Sequence, residues 1–143
     1  MNLLLESVLE AHPHADVANT AVIVEAVESL ALCQQVCLAC ADACLAEESV
    51  EDLRGCIRMD LDCSAACAAT SAMLLRHRDV NAPVLHAQLH ACVAACQACS
   101  DLCGHHAIHY AHCAICAEAC RRCQEKCNLA LGELSPAGIV ASE

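Results

Sequence analysis

The chain has 143 residues, the size of one domain, and its seven Lys+Arg against eighteen Asp+Glu give a formal net charge of −11. That balance argues against nucleic acid and anionic membrane surfaces as partners. Sixteen cysteines and 29 alanines supply more than half of the 58% apolar content, and Phe and Trp are absent, so an ordinary core of large side chains is not available.

Turn signals divide the sequence into a few long segments. A short amphipathic helix is expected over Leu3 to Ala11, ended by Pro13, and a long one over about Asn19 to Ala46. Ser49 with Asp52 makes a capping-box-like start for a helix over about 50–78. Asn81-Ala82-Pro83 stops that helix and opens the next, over about 82–104, because proline fits only a first turn. Gly104 reads as its C-terminal stop. The last helix is expected from near His106 to Leu131, ending at Gly132, and the tail 133–143, with Pro136 and Gly138, is expected to be loose.

Four long helices with short connections imply an all-α fold: an antiparallel up-down-up-down four-helix bundle with a short N-terminal helix, one domain over 1–143. The high alanine content and the lack of alternating strand patterns agree. Uninterrupted apolar runs are only a few residues long, so no membrane-spanning segment is expected. The opening Met1-Asn2-Leu3-Leu4-Leu5-Glu6 offers neither a basic leader nor an adequate apolar stretch. The expected location is therefore cytoplasmic.

The cysteines form an internal repeat. Cys33, Cys37, Cys40 and Cys44 recur with identical spacing as Cys92, Cys96, Cys99 and Cys103, and Ala39 and Asp42 correspond to Ala98 and Asp101. Cys56, Cys63 and Cys67 align with Cys116, Cys123 and Cys127, leaving Asp60 opposite Cys120. The offsets are 59 and 60 residues, which suggests a duplicated helical hairpin.

Steps of three and four residues put these thiols on one stripe of each helix. Cys113, Cys116, Cys120, Cys123 and Cys127 fill five consecutive seam positions, where a bundle normally carries Leu or Ile. Beyond the cysteines the seams return to ordinary core: Ile23, Ala26 and Leu30 precede Cys33, Leu85 and Leu89 precede Cys92, and Thr70 and Leu74 follow Cys67. The reading is a tube of inward-facing thiols, closed by aliphatic residues at one end. Helical spacing, few Gly and Pro, and the expected reducing compartment all weigh against a disulfide scaffold.

Thiolates on this scale point to a soft metal: Cu(I), Zn(II) or iron–sulfur. Zinc sites use four ligands, usually on loop knuckles, whereas here every Cys-x-x-Cys lies inside a helix. Cysteines four apart have Cβ atoms about 5–6 Å apart and could grip one ion near-linearly, which suits Cu(I). One Cu(I) per thiolate is also neutral, whereas four thiolates on Zn(II) bury a double negative charge. The expected capacity is roughly one ion per cysteine, a storage function.

With its four Cys-lined helices, repeated Cys-x-x-x-Cys and His-rich end, the sequence over about 19–131 resembles the bacterial copper storage proteins, specifically their cytosolic branch. The resemblance implies a four-helix bundle filled with Cu(I), assembly as a homotetramer, copper held safely in the cytosol, and the sixteen cysteines as ligands. It also implies that copper enters at one bundle end.

The same end carries non-cysteine candidates. His109 lies four before Cys113 and is expected to extend that seam, flanked by His105 and His112; Met59 and Asp60 fall within about two turns. Imidazole and thioether bind Cu(I) more weakly than thiolate, which suits capture followed by inward transfer. His12, His14, His77, His86 and His90 are expected to be surface or packing residues, and Glu47, Glu48, Glu51 and Asp52 a solvated acidic face. No His-Glu-x-x-His, paired Glu-x-x-His or Cys-x-x-Cys-His motif supports catalysis. The alternatives are a zinc or general soft-metal store, and a redox-responsive protein whose thiols form disulfides.

Overall fold

A computed structural model describes residues 3–134. The part of the expected loose tail that covers 135–143 lies outside the described residues. The helices are α1 (Leu3–Glu10), α2 (Thr20–Ala46), α3 (Arg54–Leu74), α4 (Ala82–His106) and α5 (Ala111–Glu133). Single 3-10 turns at Val17–Asn19, Val50–Leu53 and Asp79–Asn81 lead into α2, α3 and α4. The four long helices close a ring, α2 on α3, α3 on α4, α4 on α5 and α5 back on α2, while α1 rests on α2. Short connections make consecutive members antiparallel, as expected for this all-α bundle.

Several boundaries differ from the sequence reading, each for a local reason. Ser49 makes no side-chain cap; its carbonyl instead accepts from the Asp52 N–H at 3.0 Å, and that 3-10 turn carries the chain into α3. Helix α3 ends at Leu74, and Arg78 is already extended at φ −157° and ψ 167°. Pro83 sits in the first turn of α4, as its missing N–H requires. Gly104 is not a stop: α4 runs through it to His106, and no described residue has positive φ. An added Cβ at Gly104 would meet nothing within 4 Å, so this glycine faces open space on a continuing helix. The chain turns over 107–110, where the His109 and Tyr110 N–H groups both bond the His106 carbonyl, and α5 begins at Ala111 rather than near His106. At its far end α5 continues through Gly132 to Glu133.

The segment Val17–Ala46 is long and apolar enough to cross a membrane by length and composition, with a mean hydropathy of 1.6, which the shortness of its unbroken apolar runs had concealed. Its inward stripe of Ile23, Leu30, Cys33, Cys37 and Cys44 is fully buried in the bundle. Length and composition alone are therefore weak evidence for a span.

The interior has two parts. Ile23, Ala26, Leu30, Leu74, Leu85 and Leu89 pack the end where α2 and α4 begin, with buried Thr70 above them. The hydroxyl of Thr70 donates to the Ala66 carbonyl at 2.7 Å and accepts from Gln88 Nε2 at 3.1 Å, so this polar group is satisfied where the aliphatic plug meets the thiols. The rest of the interior is mostly cysteine, with Leu53, Ala117 and Asp60 buried among the thiols. All sixteen are buried and none is in a disulfide.

Candidate metal centre

Helical periodicity makes the centre: residues three and four apart share a face, so each long helix contributes a column of Sγ atoms to one axis. The columns meet at van der Waals range. Cys33 Sγ lies 3.8 Å from Cys37, 3.9 Å from Cys63 and 3.8 Å from Cys120. Cys37 is 3.8 Å from both Cys116 and Cys120, Cys63 is 3.8 Å from Cys96, and Cys67 is 3.9 Å from Cys92 and Cys123. Among the described residues, five sets of four groups have ligand atoms within 4.8 Å of one another. Three are all-thiol: Cys33, Cys63, Cys67 and Cys96; Cys33, Cys37, Cys63 and Cys120; and Cys37, Cys99, Cys116 and Cys120.

These distances refine the expected coordination. With a metal–sulfur bond of about 2.3 Å, sulfurs on one ion stand about 3.8 Å apart in a tetrahedron, about 4.0 Å in a trigonal plane and about 4.6 Å in a line. The i,i+4 pairs Cys33–Cys37 and Cys99–Cys103, at 3.8 and 4.0 Å, match three or four ligands and would have to open for the near-linear grip expected from spacing. Shared ligands carry the further information: Cys33, Cys37, Cys63 and Cys120 each belong to two sets, so ions in neighbouring sets would be bridged by common sulfurs. Separate sites of four dedicated ligands would not share them.

Among the described residues Asp60 is the one carboxylate inside. It is fully buried, and its Oδ1 accepts from Cys99 and Cys116 at 3.1 Å and from Cys103 at 3.5 Å, while Oδ2 has no partner among the described residues. With Cys40, Cys103 and Cys116 it forms a fourth set. Burial pushes its carboxyl up to about 7. The internal repeat puts it where a thiol would be expected on the seam.

The mouth lies where α2 ends and α5 begins. His112 is half-buried there, its Nδ1 3.4 Å from Cys40 Sγ, 3.6 Å from Cys113 and 3.9 Å from Cys44, forming the fifth set with those cysteines. Its Nε2 donates to Glu47 Oε2 at 3.1 Å, which in a neutral ring leaves the Nδ1 lone pair facing the thiols. Glu47, which the sequence reading left in a solvated acidic face, is thus the group that aims the histidine. No spacing signal joins them, because the pair forms across the end of the bundle.

The expected extension of the α5 seam through His109 does not hold. His109 sits exposed in the turn before α5, outside the helical register that would align it with Cys113. His105 is exposed on α4, and Met59 is half-buried against the core beside Asp60. Among the described residues, His112 is the histidine with a ring nitrogen near the thiols.

Burial and contact with neighbouring thiols set the ionisation of the cysteines. Burial raises Cys44 and Cys56, and it raises Cys113 to about 12, with the neighbouring Cys44 and Cys103 adding to it. Deeper, contact with Cys123 and Cys92 and then burial push Cys127 up, and contact with Cys103 and Cys116 does the same for Cys40. Thiols donated by Cys103 and Cys120 pull Cys116 down. The cluster accommodates thiolate only where neighbours supply S–H donors.

The model of the family described as copper storage protein matches residues 19–132, the whole ring of four helices. The chain belongs to the copper storage protein family. That family's role is storage, not catalysis, and the buried thiol sets suit it. Among solved structures, the copper storage protein Ccsp of Streptomyces lividans, loaded with 10 copper equivalents, matches with TM-score 0.85 and 42% identity over 90% of this chain and 98% of that one. A second structure, described as copper loading to a cytosolic copper storage protein of the same organism with five coppers, matches with TM-score 0.76 and 46% identity over 78% of this chain and 93% of that one. A variant of Ccsp with a histidine replaced by alanine matches with TM-score 0.78 and 46% identity over 80% of this chain and 96% of that one. Among curated protein sequences no significant relative is found.

Proposed function

We propose that this copper storage protein holds many Cu(I) ions on its sixteen cysteines, in the cytosol, as a homotetramer, and so buffers copper and keeps it from harm. The sharing of buried sulfurs between adjacent four-ligand sets is the observation that carries the reading. Bridging sulfurs let ions accumulate until their number approaches the thiol count. Monovalent copper balances each thiolate, whereas Zn(II) on four thiolates would leave charge in an interior to which the buried carboxylate Asp60 adds more. The loaded Streptomyces relatives support copper, and the description of one as cytosolic supports the location. The tetramer rests on family resemblance.

Ions enter where His112 and Glu47 close the thiol column, with Met59, His105 and His109 around the approach and Asp60 with Cys40, Cys103 and Cys116 as the next set inward. The opposite end is closed by Leu30, Leu74, Leu85 and Leu89. The deciding experiment is anaerobic titration of the reduced protein with Cu(I) against a chromogenic Cu(I) chelator, with zinc as competitor. Uptake near the cysteine count with zinc failing to compete is the expected result. Saturation after one or two ions would remove the storage reading, and effective zinc competition would favour a general soft-metal store.

A further inference from the structure

Far from the thiol mouth, in the first turns of α4, two histidines stand one helical turn apart. His86 is half-buried on the wall of a cavity of about 770 Å³ between the start of α4 and the chain around His77, and His90 is exposed beside it. Their ring centroids are 4.7 Å apart with planes at 70°. Among the described residues neither ring has a hydrogen-bond or ion-pair partner. Two imidazoles held cis on one ion by metal–nitrogen bonds of about 2.0–2.1 Å place their centroids about 4.5–5.2 Å apart, so this pair already has the required separation.

From this geometry we infer that His86 and His90 form a second metal site, for a borderline divalent cation of the Zn(II), Ni(II) or Cu(II) class, on the outside of the bundle. Imidazole suits these ions, whereas the thiol core selects softer ones, so the two sites sort metals by ligand type. Residues four apart on a rigid helix act as a chelate, because the second ring binds at high effective concentration. The carboxylates of Asp16, Asp79 and Glu133 around the cavity favour a cation there, and Arg78 opposes one. Leu85 and Leu89, each adjacent in sequence to one of the pair, are buried in the aliphatic part of the core.

The test uses protein first filled with Cu(I), so that its thiolates are occupied, and then titrated with Zn(II) by calorimetry. About one Zn(II) per chain is expected, with binding weakened by about tenfold or more in His90→Ala and in His86→Ala and copper capacity unchanged in both. Absence of Zn(II) uptake, or uptake indifferent to both substitutions, overturns the site. An independent readout is paramagnetic broadening by Ni(II) in NMR, expected at residues 86–90 ahead of the rest of the bundle. Broadening elsewhere with these signals intact would equally refute it, whatever the outcome of copper loading.

Discussion

Asp60 gives the sharpest test of how this interior is built. Its carboxyl is fully buried, one oxygen accepts from three thiols and the other has no partner among the described residues. Burial moves its pKa from 3.8 to about 7. Between those values the folded apo protein keeps a proton that the unfolded chain has released, so stability falls as pH rises through the window and the loss is complete above it. Three pKa units correspond to about 4 kcal/mol. In Asp60→Asn the amide oxygen still accepts from Cys99 and Cys116, and no charge has to be buried. The apo variant is therefore expected to be more stable than wild type near pH 8, by up to about 4 kcal/mol, and equal or weaker near pH 4. Denaturant unfolding of reduced, metal-free protein at a series of pH values measures this, and the difference between the two proteins cancels titration common to both. A difference that stays constant with pH would refute the account of Asp60 as a carboxyl strained by burial.

Other expectations bear on filling and on the closed end. His112→Ala should slow copper uptake more than His109→Ala in stopped-flow mixing with a Cu(I) donor, and should lower capacity by at most about one ion; equal rates would remove His112 from the path. Because thiols such as Cys113, at about 12, are protonated at neutral pH, loading should release about one proton per thiolate formed, measurable in a weakly buffered indicator solution. Release well below the copper uptake would show that the apo core is already ionised. Leu89→Ala should cost about 2–5 kcal/mol of apo stability in denaturant unfolding and leave copper capacity unchanged.

The parts of this molecule that follow from helical periodicity were legible in its sequence. A fixed stripe identifies the inward face whatever the partner helix, so the four cysteine columns, and Asp60 as an occupant of one of them, could be read directly. Details set by where a helix begins could not. His109 is at seam spacing from Cys113, but the turn over 107–110 takes it out of register. His112 looks off the seam, being adjacent to Cys113, yet at the first turn of α5 its side chain reaches across the mouth to Glu47 and Cys40. Gly104 illustrates the same limit, because glycine at an open helix surface and glycine at a helix end are identical in sequence. Coordination number was similarly hidden. Spacing on one helix suggested pairs, while the interior shows four-membered sets drawn from several helices.

A core of thiols is a poor choice for stability alone, and its cost explains the layout of the ends. Leu at the same seam positions would bury more apolar surface without risk of oxidation. The bundle compensates by concentrating its aliphatic residues at one end, where Ile23, Leu30, Leu74, Leu85 and Leu89 are each almost completely buried. That packing lets the apo form hold its shape while the thiol section stays neutral. Neutrality is in turn what admits copper: among the described residues the core contains no buried Lys or Arg to stabilise pre-formed thiolates. Each thiolate therefore gains its charge partner from the arriving ion. Stability rests on the plug and metal binding on the thiol sets, so the two requirements fall on different residues.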